Sequence, residues 1–255
     1  KDGNVFNADP NTVKNLISEL LKMKAERVAA TSKSKWEQFE VNDSLGSHVI
    51  VMKDNEKVAD IVIGKFSYSQ PKGGQQMMRN PYARQRQKMT SYVRRAGDDV
   101  VYAVDGFLRM TFRNDADSYK NKKIISGTKS DFTSLKFNYP ADSSFTMMKQ
   151  NDKWMVDGLL ADSASVAKYL GNIAYTSSSD FAEKELVDKK GDAVYSLYIE
   201  GDNIAPIEVQ AFPADTSMIV TSSQNKGSYF NASKSDLINK IFIGKDKLFA
   251  SGQEE

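Results

Sequence analysis

Two helix signals 153 residues apart constrain this chain more than any other feature. The first is D-P-N-T-V-K-N-L-I-S-E-L-L, residues 9–21; the second is D-S-A-S-V-A-K-Y-L-G-N-I-A, residues 162–174. Each begins with an aspartate, whose carboxylate can accept from the orphan N–H groups of a first helical turn. Pro10 then stands where a first turn favours it. Val13, Leu16, Ile17, Leu20 and Leu21 follow at helical spacing, and Val166, Tyr169, Leu170 and Ile173 match them in the second copy. Each apolar stripe predicts a helix that packs one face on something flat.

The correspondence runs on to both sides. D-G-N-V-F precedes the first helix and D-K-W-M-V the second; both read as a turn entering a strand. E-R-V-A-A and S-D-F-A-E follow, aligning Val28 with Phe181, and then H-V-I-V-M matches V-Y-S-L-Y-I. V-A-D-I-V-I-G corresponds to I-A-P-I-E-V-Q, and the hairpin pattern of residues 91–104 to that of residues 218–231. These strands alternate around one long helix per unit. The pattern predicts an α+β fold: two similar units of mainly antiparallel sheet with helices packed on one face. The first unit is expected over residues 1–115, with an insertion near 69–89. The second is expected over residues 128–255, and the polar stretch 116–127 connects them.

The second copy is preceded by two strand patterns, S-L-K-F-N-Y and S-F-T-M-M-K-Q, and the first copy has no counterpart. The C-terminal I-F-I-G-K-D-K-L-F-A, residues 241–250, is a candidate replacement. Without a replacement, the first sheet keeps a bare edge open to a partner strand.

At 255 residues with 40% hydrophobic side chains, the chain can bury a full core without a metal or covalent staple. It has no cysteine, which excludes disulfides, thiolate metal sites and cysteine nucleophiles. No apolar run approaches the roughly 20 residues of a membrane span. The sequence opens at Lys1 rather than Met, so it is read as a processed or shortened form whose targeting segment lies elsewhere.

The order A-E-R-V-A-A, W-E-Q-F, V-I-V, I-V-I-G, S-Y-V-R-R, V-V-Y-A-V, S-Y-K-N-K-K-I resembles the bacterial domain of unknown function 4340 family over roughly residues 10–125, with a diverged second copy following. The resemblance implies an exported or membrane-anchored protein, in some members linked with transporter or gliding-motility machinery. It brings no catalytic residues to carry over.

Signals for chemistry are sparse. His48 is the single histidine, and zinc takes several close His, Cys or carboxylate ligands. It reads as a strand-end surface residue. Asp115 and Asp117 lie in N-D-A-D-S-Y-K-N, but the Gly and Glu of a calcium loop are out of register, so a capping cluster is expected. S-K-S-K, residues 32–35, formally fits a Ser-x-x-Lys pair without the companion motifs, and reads as a helix start before Trp36. Neither a P-loop nor a dinucleotide fingerprint occurs. No metal and no cofactor is expected.

Charge is unevenly placed. Residues 61–97 hold eight of the 35 basic side chains and no acidic one, leaving 27 basic against 33 acidic elsewhere. The insertion carries Lys72, Arg79, Tyr82, Arg84, Arg86 and Lys88, with Met77 and Met78 interleaved; Arg94 and Arg95 follow. Three readings compete: a solvated hairpin tip, a basic surface for an acidic protein, glycan or lipid headgroup, or a nucleic-acid contact with Tyr82 stacking. The acidic body would repel a phosphate backbone, which disfavours the third. Exposed methionines adapt to irregular partners and favour a protein contact.

These features together predict a non-catalytic extracytoplasmic scaffold or protein-binding module of an envelope or transporter-associated complex. Its partner would be an envelope protein or an acidic surface; membrane attachment would lie outside this chain. The alternative is a carbohydrate-active enzyme or small-ligand binder using a groove between the units.

Overall fold

The computed structural model describes residues 6–69, 88–113, 115–215, 217–233 and 235–250, with Ser69 and Lys88 described by their backbone alone. Two compact units emerge: Pro10–Tyr119, and Lys120 onward together with residues 6–9. Residues 6–9, counted by sequence with the first unit, pair instead with the second. Ala8 bridges to Lys120, and the Asn7 amide donates to the Lys226 carbonyl at 2.9 Å.

The first unit opens with α1 (Pro10–Lys22) and β1 (Ala25–Ala30). A 3-10 turn (Lys33–Lys35) and α2 (Trp36–Phe39) follow, then β2 (Ser47–Lys53) and β3 (Glu56–Ser69). β4 (Lys88–Arg95), β5 (Val101–Asp105), α3 (Leu108–Thr111) and a 3-10 turn (Ala116–Tyr119) complete it. Its sheet is antiparallel, in the order β1-β5-β4-β3-β2. The β2–β3 turn places Asp54 and Asn55 at positive φ, the backbone that a two-residue hairpin loop demands.

Strand alternation divides the side chains of this sheet between two small cores. Ile63, Val93 and Val104 face α1 and α3, where Leu108, Phe112, Leu16, Leu20 and Met23 meet them. Val62, Tyr92, Val101 and Ala103 face the other way, under Trp36, Phe39 and Val41. Gly64 makes that second packing possible: a Cβ there would lie 2.1 Å from the Phe39 carbonyl oxygen and 2.7 Å from Val41.

The second unit begins with β6 (Lys123–Ser126), β7 (Phe132–Asn138), β8 (Phe145–Gln150), β9 (Lys153–Val156) and the two-residue β10 (Leu159–Leu160). α4 (Ser163–Ile173), β11 (Tyr175–Ser177), α5 (Lys184–Asp188) and β12 (Tyr195–Gly201) follow. Then come β13 (Ile207–Ala214), β14 (Ser217–Ser222), β15 (Phe230–Asn231) and α6 (Leu237–Ile241). The large sheet runs β10-β9-β8-β7-β12-β13-β14-β15; β6 and β11 pair separately. One core holds Phe132, Phe137, Met147, Val156, Leu197, Val209 and Phe230 under α4 and α6.

The order helix, strand, short helix, four strands, short helix occurs in both units, as α1-β1-α2-β2-β3-β4-β5-α3 and as α4-β11-α5-β12-β13-β14-β15-α6. Val28 pairs with Tyr102 in one, and Phe181 bridges to Phe230 in the other. The segment 241–250, the candidate replacement strand, adds none to the first unit's sheet. It ends α6 and forms a 3-10 turn (Lys245–Leu248), burying Phe242, Ile243 and Leu248 in the second unit. Among the described residues, nothing pairs with the outer side of β2.

Candidate functional site

The expected basic surface falls largely outside the described residues: Lys72, Arg79, Tyr82, Arg84 and Arg86 lie there, and Lys88 is placed by its backbone alone at the start of β4. Arg95 is exposed at the end of that strand. Arg94 is not a surface residue. It shares the face of Val62 and Tyr92 and is 3% exposed. Its guanidinium lies 3.7 Å from the centre of the Trp36 ring. Its Nε donates to the Val41 carbonyl at 3.0 Å, and Nη1 to the Arg95 carbonyl at 3.3 Å. Nη2 reaches an Asp43 carboxylate that is itself exposed. A planar fork that stacks on indole while donating along its edge suits this slot, so Arg94 holds the Trp36–Asp43 segment on the sheet.

The other sequence candidates resolve into local structure. His48 Nε2 is paired with Asp60, and Lys57 Nζ reaches the same carboxylate at 2.6 Å. The hydrogen bonds from Lys57 and then His48 hold the Asp60 carboxyl below its ordinary value. The trio is a surface polar cluster joining β2 and β3. Asp115 accepts from the Asp117 N–H at 2.9 Å and from the Ser118 hydroxyl at 2.9 Å, capping the 3-10 turn after it. Ser32 accepts from the Ser34 N–H at 3.4 Å and starts the turn that leads into α2. Among the described residues, no three His, Asp or Glu side chains gather as metal ligands.

A groove of about 710 Å³ lies within the second unit between α4 and α6, lined by Ser165, Lys168, Asn172, Asp236 and Lys240 among others. Tyr169 sits at its base with its hydroxyl donated to the Ile241 carbonyl at 2.6 Å, and burial raises its phenol far above the usual range. The lining has a single carboxylate, Asp236. Glycoside hydrolysis by paired carboxylates has no second partner there.

The feature that stands out is the outer side of β2. Long, regular, unpaired edges are normally blunted by charge, bulges or shortness. β1, at the opposite edge of the same sheet, carries Glu26 and Arg27 and two register shifts. The large sheet of the second unit ends in two-residue strands at both sides. β2 runs seven residues, with no Lys, Arg, Asp, Glu or Pro from Ser47 to Met52 and one register shift near its end. Ile50 and Met52 on it are exposed, as is Val58 on β3.

The long helix of the first unit is covered only in part. Its spacing predicts a stripe packed as a whole. The structure covers Leu16 and Leu20 but leaves Val13, Ile17 and Leu21 exposed. The signal was present in the width of the stripe, since five apolar residues in three turns cover more of a helix than one sheet contact uses.

A two-unit α+β chain with an open sheet edge is the class that the fold and this surface define. No helix among the described residues is long and apolar enough to cross a membrane. The family profile described as domain of unknown function (DUF4340) matches residues 2–197, and the chain belongs to that family. The match takes in the whole first unit and the second as far as the start of β12. Comparisons with curated proteins and with solved structures returned no match.

Proposed function

We propose that this protein is a non-catalytic extracytoplasmic binding module, a scaffold in a bacterial envelope or transporter-associated complex, which takes up its partner through the first unit. The observation that carries this reading is the outer side of β2, a strand edge with no Lys, Arg, Asp, Glu or Pro from Ser47 to Met52, where the other large-sheet edges among the described residues are short or blunted. Unpaired N–H and C=O groups in such a row are a template for strand addition, in which main-chain hydrogen bonds supply affinity and side-chain pockets supply selectivity. Arg95, with the basic residues of the 69–89 stretch, favours an acidic partner. The exported character implied by the resemblance supports a position outside the cytoplasm.

Site-specific photo-crosslinking tests the edge. A photoreactive residue at Met52, in the native envelope, yields one defined adduct, and neutralising Arg84, Arg86 and Arg95 together reduces it. A control probe at the exposed Tyr175 of the second unit yields none. Equal labelling from both positions refutes the reading. Because the chain has no cysteine, a single Lys53→Cys variant reports location without background. A membrane-impermeant maleimide labels it in intact or outer-membrane-permeabilised cells if the module is extracytoplasmic.

A further inference from the structure

We infer that the groove between α4 and α6 is a binding site for a small anionic sugar, a pyranose that carries a phosphate or a carboxylate. The site is made by the second unit alone and is independent of the β2 edge.

Charge in this unit is sorted by place. Residues 120–255 carry 16 lysines and no arginine against 18 carboxylates. Around the groove that balance is reversed: Lys168, Lys240 and Lys247 stand with one carboxylate, Asp236. They come from α4, from α6 and from the 3-10 turn after it, so the fold gathers them from distant parts of the chain. A second hollow of the same unit, of about 380 Å³, has the opposite sign, with Asp180, Glu183 and Glu185 against Lys189. Asp236 is already engaged, since it accepts from the Asn239 amide at 2.7 Å. Among the described residues, Lys168, Lys240 and Lys247 enter no ion pair, whereas Lys245 reaches Asp157 at 2.6 Å. Like charges drawn into one groove repel, and an anion held among them removes that cost.

The walls of the groove are held in place while the lysine heads are left to adjust. The Tyr169 hydroxyl binds the Ile241 carbonyl, and the Tyr139 hydroxyl binds the Ile243 carbonyl at 2.9 Å, so the stretch from Lys240 to Lys247 is fixed at two points. Ser165, Lys168, Tyr169 and Asn172 lie three or four positions apart and share one face of α4. Tyr169, Leu237 and Ile243 are buried and give the groove an apolar base. The Ser177 and Ser235 hydroxyls and the Asn172 amide are exposed around it and offer both donors and acceptors. Lysine heads take phosphate or carboxylate as point charges, with no fixed fork to satisfy. Hydroxyls and amides suit a ring of hydroxyls, and the base suits the apolar face of that ring. At about 710 Å³ the groove falls in the range of small-molecule sites, roughly 300–1,000 Å³. A nucleobase fits less well, because the one aromatic ring in the lining, Tyr169, is 5% exposed and offers no face for stacking.

Isothermal titration of the full chain with glucose 6-phosphate, glucuronate, glucose and inorganic phosphate tests this. Saturable binding of at least one of the two anionic sugars is expected, and whichever binds more tightly identifies the anionic group. Glucose and inorganic phosphate should each bind at least about tenfold more weakly. Lys168→Gln and Lys240→Gln should each weaken the sugar by about tenfold, and Lys136→Gln, an equal loss of charge at an exposed position on β7, should leave it unchanged. In Trp36→Phe, where Trp154 alone reports the second unit, the same sugar should raise the unfolding midpoint, as mass action requires of a ligand of the native state. No saturation by either sugar up to about 10 mM overturns the inference. So does an equal loss in Lys136→Gln, which would mean diffuse charge attraction. Glucose or inorganic phosphate binding as tightly as the anionic sugars, or tetraglutamate binding more tightly than they do, would assign the groove to another ligand and likewise overturn it.

Discussion

Truncating matched residues of α1 and α4 gives the sharpest check on the packing. Leu170→Ala removes methyl groups from a closed core, for which the cost is about 2–5 kcal/mol because transfer and cavity terms add. Leu170 is 4% exposed in the core with Val166 and Phe132 and borders a surface hollow with Trp154, so the middle of that range applies. Ile17→Ala removes the same number of carbons from a flank open to solvent on one side. At about 0.8 kcal/mol per fully buried methylene, with little more than half of the group buried and no cavity to close, the cost is about 1 kcal/mol. Each unit holds one of the two tryptophans, Trp36 or Trp154, so each unfolding transition has its own reporter. Trp154→Phe leaves Trp36 to report the first unit, and Trp36→Phe leaves Trp154 to report the second. In urea, Leu170→Ala should lower its unit's midpoint by about 1–2 M and Ile17→Ala by about 0.5 M. Equal shifts would mean that the α1 stripe is already covered in solution and would refute the packing described for α1.

Arg94 and Arg95 should separate by assay despite being neighbours. Arg94→Lys keeps the charge but loses the fork and the indole stack, leaving the Val41 carbonyl short of its donor, at a cost of about 2 kcal/mol or more in first-unit stability. Arg95→Ala should leave stability within about 0.5 kcal/mol and reduce the Met52 crosslink. Asp157 supplies a pH test in the second unit. The hydrogen bond from Lys245 Nζ at 2.6 Å, with a smaller contribution from the Thr146 N–H, holds its carboxyl below the ordinary 3.8. A depressed folded-state pKa gives stability that is fully present above the unfolded value and lost as pH falls through the folded one. The deficit of Asp157→Asn against the native chain should therefore be full near neutrality and shrink below the ordinary carboxylate range, read from Trp154 in urea.

Asp162 was legible as a cap from its place before a helical stripe, and it accepts from the Ser165 N–H at 2.8 Å. The strands were legible wherever apolar and polar residues alternate with turn residues between them, as at Asp54–Asn55 and Asn151–Asp152, all four at positive φ. Residues 241–250 misled because Ile241, Phe242 and Ile243 have the composition of a strand. Their burial beside α4 is decided by contacts distant in sequence, such as the Tyr169 hydroxyl on the Ile241 carbonyl. Arg94 shows a subtler limit. R-R at the end of a strand reads as charge, yet strand parity puts the first arginine with Tyr92 on the covered face and the second on the opposite one. What lies over that face, Trp36, is 58 residues away in the chain and leaves no local trace. The same holds for α1: periodicity tells which side chains need cover and is silent on what supplies it.

The polarity of the sheet adds a direction to the proposed strand addition at β2. β2 runs from Ser47, opposite Ile63, to Lys53, opposite Glu56. A strand antiparallel to β2 therefore enters beside Lys53 and leaves beside Ser47, heading the way β3 runs. Past Ile63, β3 continues to Ser69 with β4 on its other side, and Ser69 and Lys88 are the ends between which the basic 69–89 stretch is joined. The C-terminal end of an incoming strand thus points toward the attachment of the most basic part of the chain. On the reading of β2 as a strand-addition edge, an alternating segment followed, rather than preceded, by acidic residues suits both the edge and the basic stretch.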